Sequence, residues 1–321
     1  MKTLADQSGL TIIELMISMT IGLLLILIAT GLLLSSRAAY VAQDQHIQVQ
    51  ETGRYAMEIL SRAIRQAGYR NPDTAYLLPY NSAEREPDVV GMDAASLKRS
   101  TAGMDVAGAS AVVNGSDVLA LRFSGDIAIF NCAGFAVPAP ASPLVAGEDN
   151  GGSIFFVGRD RSGEPELRCK YRSRQGWNAD AIARGIESFQ VLYGVDVDGD
   201  AAVDRYVNAS DIEAMDDAMT LRGENAIVRL ADRKRRTHWK RVRSVKVSVL
   251  VRSVQSARYG EATTRYRLFD DAYTDTSDIG VHISEMDIPR IERKRIRKVF
   301  TQTIHCLLYT SDAADERSSV D

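Results

Sequence analysis

The segment SGLTIIELMISMTIGLLLILIATGLLL (residues 8–34) decides how the rest of the chain is read. From Leu10 to Leu34 it runs for 25 residues with a single charge, Glu14. At about 1.5 Å per residue such a helix reaches roughly 37 Å, enough to cross the hydrocarbon core of a bilayer. A carboxylate in that run costs on the order of 2.5–3.5 kcal/mol on insertion scales, and ionisable groups so placed commonly have a function. The run is longer than the roughly 7–15 apolar residues of a secretory signal, and SSRAAYVA (35–42) is a poor signal-peptidase site. On these residues alone a plain signal anchor stays open.

Outward from this run, residues 38–68 continue as an amphipathic helix. Ala56, Ile59, Leu60, Ala63, Ile64 and Ala67 recur at helical spacing, while Arg54, Glu58, Arg62 and Arg65 take other faces. Gly68 followed by Pro72 marks the stop. Residues 69–116 are rich in Pro, Ser, Ala, Gly and Asp without a sustained period and read as a long loop region. Strands follow at DVLALRF (117–123), SIFFVG (153–158), ELRCKYR (166–172), IESFQVLYGVD (186–196) and VRSVKVSVLVRS (242–253), with GRDRSGEPE as a hairpin connection. One long helix laid on an antiparallel sheet buries both apolar faces, so the fold class is α+β.

Composition narrows the function classes. The chain has 321 residues, 45% hydrophobic and 25% charged, with a net charge of −3, a balance that argues against wholesale nucleic-acid binding. Its three cysteines form no CxxC pair, its four histidines are scattered, and no HExxH, P-loop or GxSxG motif occurs. The reading is therefore a non-enzyme.

The residues around Glu14 resemble the start of a type IV pilin or pseudopilin. MKTLADQSG (1–9) corresponds to the family's leader, and Leu10-Thr11-Ile12-Ile13-Glu14 to its Phe-Thr-Leu-hydrophobic-Glu, with Leu10 in place of Phe. The resemblance implies cleavage by prepilin peptidase between Gly9 and Leu10, and methylation of Leu10. It also implies an assembly role for Glu14, which would meet the α-amine of a neighbouring subunit. A buried carboxylate then gains a cation only on assembly. Further along, LLLSSRAAYVAQDQHIQVQETGRYAMEILSRAIRQAGYR, FNCAGF, LRCKYR, GIESFQVLYGVDVDGDAAVDRY and RVRSVKVSVLVRS resemble the PilW family of minor pilins.

That resemblance implies a leader (1–9), a transmembrane half-helix (10–34), an amphipathic half (35–68) and a periplasmic or extracellular β-sheet head (69–305). It implies a minor pilin taking part in assembly initiation, adhesion and twitching motility. The protein would sit in the inner membrane as a single pass and then in the pilus. Its partners would be prepilin peptidase, other minor and major pilins and a tip adhesin. Two alternatives stand: a minor pseudopilin of type II secretion, and a bitopic periplasmic enzyme or receptor on a plain anchor. Residues 306–321 depart from the family pattern, and CLLYTSDAADE back-translates to a sequencing-adapter sequence, so this stretch reads as a non-native tail.

Two further expectations follow. Outside the inner membrane disulfides persist. Cys132 follows the apolar IAIF, and Cys169 shares a strand face with Leu167 and Tyr171, so these two are expected to bridge; two buried thiols are the alternative. DVDGDAAVD places Asp196, Asp198, Asp200 and Asp204 at positions 1, 3, 5 and 9 of a calcium-type loop, with Ala201 where such loops carry Gly and Val207 where they carry Glu. An Asp/Gly turn is the alternative to bound calcium. The acidic block 196–217 is followed by a basic block, 229–246, containing Trp239. This reads as a solvated loop beside the strands, facing the acidic block, rather than as a nucleic-acid surface.

Overall fold

In the computed structural model, residues 11–71, 81–139 and 151–306 are described, apart from 174, 259–262, 272, 274 and 276. A single helix, α1 (Ile12–Gln66, 55 residues), opens the fold and extends about 83 Å. Residues 12–34 lie exposed along almost their whole circumference, whereas Val49, Gly53, Ala56, Met57, Leu60, Ala63 and Ile64 of the second half are buried. The polar residues Arg54, Glu58, Arg62 and Arg65 face outward, as the helical spacing requires.

Strands β1 (Val89–Met92), β2 (Val118–Phe123), β3 (Gly151–Arg159), β4 (Pro165–Ser173) and β5 (Gly176–Arg184) form one antiparallel sheet in chain order. The chain then forms β6 (Ile186–Val195), β7 (Arg205–Val207), helices α2 (Ala209–Asp217) and α3 (Ala226–Arg236), and β8 (Val242–Ser256). A two-stranded ribbon, β9 (Arg265–Arg267) with β10 (His282–Ser284), precedes β11 (Arg295–His305). The second sheet has the order β11-β8-β6-β7 and is also antiparallel. The α+β class is as expected, but the strands divide into two sheets instead of one.

Both sheets share a core with α1. Val245, Val247, Val249 and Val251 of β8, Phe189, Val191 and Tyr193 of β6, and Leu119, Leu121, Phe155, Leu167 and Tyr171 of the first sheet all belong to it. The opposite face of the first sheet is covered too: Val118, Ala120, Ile154 and Phe156 pack with Ala95 and Leu97. The region read as a long loop, 69–116, therefore includes β1 and a covering segment. Short apolar residues at both parities of β2 show why: the strand is buried on two faces rather than one.

The sheets meet where β5 passes into β6. Gly185 sits at φ 78°, and an added Cβ would lie 2.7 Å from the Arg252 carbonyl oxygen, so only glycine turns the chain there. Beside it the buried Glu187 carboxylate accepts two hydrogen bonds from Arg297 (2.6 and 3.0 Å) and one from Arg252 (2.9 Å). Arg252 also reaches Glu164 in the β3–β4 turn, and Arg295 binds the same Glu164 at 2.9 and 3.0 Å. Higher on the seam, the Asp117 amide donates to the Phe189 carbonyl, and its carboxylate accepts from the Val191 and Ala94 amides. Burial and the neighbouring Asp93 push the Asp117 carboxyl well above the usual range.

Cys132 and Cys169 are joined by a disulfide with a Cα–Cα distance of 5.8 Å. Cys306, assigned to the tail in the sequence reading, is buried in the shared core and its amide donates to the Arg243 carbonyl at 2.9 Å. Burial pushes its thiol up to about 12. The folded head thus takes in residue 306.

Two stability experiments follow. Replacing Glu187 by Ala leaves the buried Arg297 and Arg252 guanidinia without their shared counter-charge. The head is expected to lose about 3–5 kcal/mol in denaturant unfolding, and loss within error of a surface substitution would show the cluster to be dispensable. Replacing Cys132 and Cys169 together by Ala opens the covalent loop and is expected to cost about 4 kcal/mol in the chain-entropy model, measured under non-reducing conditions.

Candidate functional site

Chemistry-bearing residues gather at two places, the start of α1 and the pole of the head beyond the C-terminal end of α1. At the first, Thr11 is the N-cap: its hydroxyl accepts the Glu14 amide at 3.3 Å, and the Glu14 carboxylate accepts the Thr11 amide at 2.9 Å and hydroxyl at 3.0 Å. The Glu14 carboxylate therefore closes its own helix end, and among the described residues it has no cationic partner. The Thr-x-x-Glu capping box was legible in Leu10-Thr11-Ile12-Ile13-Glu14 but was not part of the sequence reading. Gly9 and Leu10, the expected processing pair, lie outside the described residues.

At the pole, the acidic and basic blocks face one another, and they do so as helices rather than as the expected loop. Asn208 caps α2 by accepting the Asp211 amide at 2.8 Å, and Asp93 accepts the Ala209 and Ser210 amides. The buried Asp216 accepts the His238 amide at 2.8 Å and contacts His238 Nδ1 at 2.6 Å. Although burial works against the charge, these contacts hold its carboxyl below the usual range. Trp239 donates its indole N–H to Glu213 at 2.9 Å, and Arg233 of α3 pairs with Asp217 at 2.7 Å. Arg241 and Arg243 turn toward the aspartate loop, and Lys246 toward Asp270. Most of the basic block is thus engaged within the head rather than ranked along one open surface.

The aspartate loop brings Asp196, Asp198 and Asp204 together, with ligand oxygens within 4.8 Å of one another, while Asp200 stands apart. Ala201, at the position where calcium loops carry Gly, has φ 71°. The donor set nevertheless does not fit calcium, which takes about six to eight oxygens. Asp196 is saturated: it accepts Arg243 at 2.7 and 3.1 Å, the Gly199 amide at 2.6 Å and the Ala201 amide at 3.1 Å. Against the penalty of burial, Arg243 and these amides hold its carboxyl below the usual range. One oxygen of Asp204 is taken by the Val197 and Asp198 amides. Arg243 already neutralises the Asp196 carboxylate that an ion would have to use. Millimolar calcium is therefore expected to leave the melting temperature of the detergent-solubilised chain unchanged, and a calcium-dependent rise would show that the ion displaces Arg243.

Comparison with known proteins now bears on these features. The family model described as Type IV Pilus-assembly protein W matches residues 154–306. The model described as Prokaryotic N-terminal methylation motif matches residues 4–30, a stretch that includes Glu14 and the capping box. Among solved structures, a type IV-like pilin from Thermus thermophilus is similar at 12% identity and a TM-score of 0.37, covering 81% of this chain and 95% of its own. No curated protein matches the chain. A methylation motif over the exposed apolar half-helix and a match to the W-type assembly model from β3 to the end of β11 together support a PilW-type pilin.

Proposed function

We propose that the chain is a minor pilin of a type IV pilus, taking part in the initiation of pilus assembly and, through the fibre, in adhesion and twitching motility. In this reading residues 10–34 anchor it as a single pass in the inner membrane with the head in the periplasm. Prepilin peptidase removes residues 1–9, Leu10 becomes the methylated N-terminus, and the chain joins other minor and major pilins and a tip adhesin. The protein works by packing, not by catalysis.

The observation that carries this reading is Glu14. It lies in a helix whose residues 12–34 are exposed on nearly every side, and its carboxylate has no cation within the described chain. An exposed apolar cylinder of this length needs a bilayer or other helices around it, and a carboxylate within it is tolerated when a positive group from a neighbour completes the pair. A neighbouring subunit's processed α-amine is such a group.

Mass spectrometry of the mature protein is expected to give an N-terminus at a methylated Leu10; an N-terminus near Ala38 would replace this reading with that of a secreted protein. Glu14→Ala is expected to leave cleavage intact and to reduce recovery of the chain in sheared fibres. Thr11→Val serves as the control, since it removes the capping hydroxyl at a cost of about 1 kcal/mol to the helix start but keeps the carboxylate. Equal loss in the two variants would assign the effect to capping.

A further inference from the structure

Two contacts fix how the head lies along α1. Gly53 meets the Phe300 ring of β11 so closely that an added Cβ would overlap it. Nearer the N-terminus of the helix, the Gln45 side chain accepts the Gln255 amide, at the end of β8, at 3.0 Å. In that direction β8 runs out toward Ser256 and β11 back toward Arg295, its partner. The segments 257–258 and 290–294 therefore form the pole that faces the exposed apolar half of α1, and the Ala257 and Arg258 amides both donate to the Lys294 carbonyl. The β3–β4 turn joins this pole, because its Glu164 holds Arg295. From Leu34 to Gln45 the helix rises about 16 Å. When the apolar run spans a bilayer, the headgroup layer fills about 6 Å of that rise. The remaining gap of about 10 Å is close to one Debye length at physiological salt, and a modest helix tilt narrows it.

The carboxylates of this pole are neutralised from within: Glu164 by Arg252 and Arg295, Glu292 by Arg252, and Glu285 by Arg258. Arg290, Lys294 and, in the β3–β4 turn, Arg161 are exposed at its surface. Among the described residues, Lys294 and Arg161 have no carboxylate partner. Arg293 is half-buried and bound to the Ile288 and Met286 carbonyls. Of the acids beside them, Asp287 is exposed, and Asp160 accepts the Ser162 and Glu164 amides of its own turn. Apolar side chains stand among these cations: Ile291 is 84% exposed, Val254 65% and Met286 58%. Ile291 is the middle residue of a 3-10 turn, Arg290–Glu292, so cations flank it in the chain on both sides.

From these features we infer that this pole is a lipid-docking surface, which binds the anionic phospholipid headgroups of the bilayer that holds α1. The inference rests on the single-pass reading above. Position selects the occupant: with the apolar run in a bilayer, the headgroup layer is the surface that this pole faces. Charge agrees with position, since Arg and Lys side chains near an anionic bilayer are attracted to its phosphates. The apolar residues add the second half of an interfacial contact, entering the boundary between headgroups and acyl chains. Departure of the chain from the bilayer breaks this contact.

The test uses the full-length chain in nanodiscs of phosphatidylglycerol or of phosphatidylcholine. An environment-sensitive fluorophore replaces Ile291 as an unnatural amino acid, and lipid brominated near the headgroup is the quencher. Quenching is expected in phosphatidylglycerol, much less in phosphatidylcholine, and it is expected to fade as salt is raised. The same fluorophore in place of Ile227, 80% exposed on α3 at the opposite pole, is expected to stay unquenched in both lipids. Lys294→Glu combined with Arg161→Glu is expected to lower the docked population about fivefold or more for each charge, with the melting temperature in detergent unchanged. Should that variant unfold, the salt series on the unaltered charges decides alone. If the chain is inserted but position 291 is quenched no more than 227, equally in both lipids, or independently of salt, the docking surface is wrong and the single-pass reading stands. If the chain is recovered outside the discs, both are wrong.

Discussion

The fold depends on one strip of helix. Between Val49 and Ala67 the buried face of the first helix provides the surface on which the two sheets converge. Each large apolar side chain buried there contributes about 1.5–3 kcal/mol, and the strip packs on β8 and β11 of one sheet and on β2 and β5 of the other. The same helix presents its first two dozen residues to the outside. One element thus divides two solvents, with an ordinary protein core along one half and an environment of lipid or other helices required by the other. Glu14 sits at the far end of the second regime, held meanwhile by Thr11.

Around the shared core, the sheets are fastened by polar groups that would be costly if left alone. Gly185 lets the chain pass from β5 to β6 without a gap, and Glu187 fixes the approach by satisfying two arginines from β8 and β11 at once. Asp117 continues the seam by standing in for a ladder partner along β6, where β7 is too short to pair. Hydrophobic burial brings the two layers together, and these charged and backbone contacts determine how they are oriented.

Much of this was legible in the residues. The period of 3.6 through Ala56, Leu60, Ala63 and Ile64 gave the helix and its buried face, and alternation through Val245, Val247, Val249 and Val251 gave β8. Where side chains of one kind serve two faces, period fails. β2 was recognised as a strand but not its burial on two faces, and β5 was missed, because its small residues Ala179, Ala181 and Ala183 carry little hydrophobic signal. Helix α3 was missed for another reason. Its run of arginines resembles a solvated loop, and its cap, Asn225, accepting the Val228 amide, is a short-range signal easily passed over. The aspartate loop lies where the residues put it, but Arg243, which binds Asp196, is 47 residues away from it along the chain, a distance no local spacing reports.

The bridge between Cys132 and Cys169 has a mechanical meaning as well. If the chain serves in a filament as proposed, its head is exposed to tension, and an unfolding head lengthens by the contour of whatever chain it releases. The bond subtracts the 37-residue interval it encloses. At about 3.3–3.6 Å per extended residue, that interval represents more than roughly 120 Å of slack that cannot be drawn out. A strained head therefore extends less by that length, and β3 and most of β4, being inside the closed interval, stay together on one covalent loop.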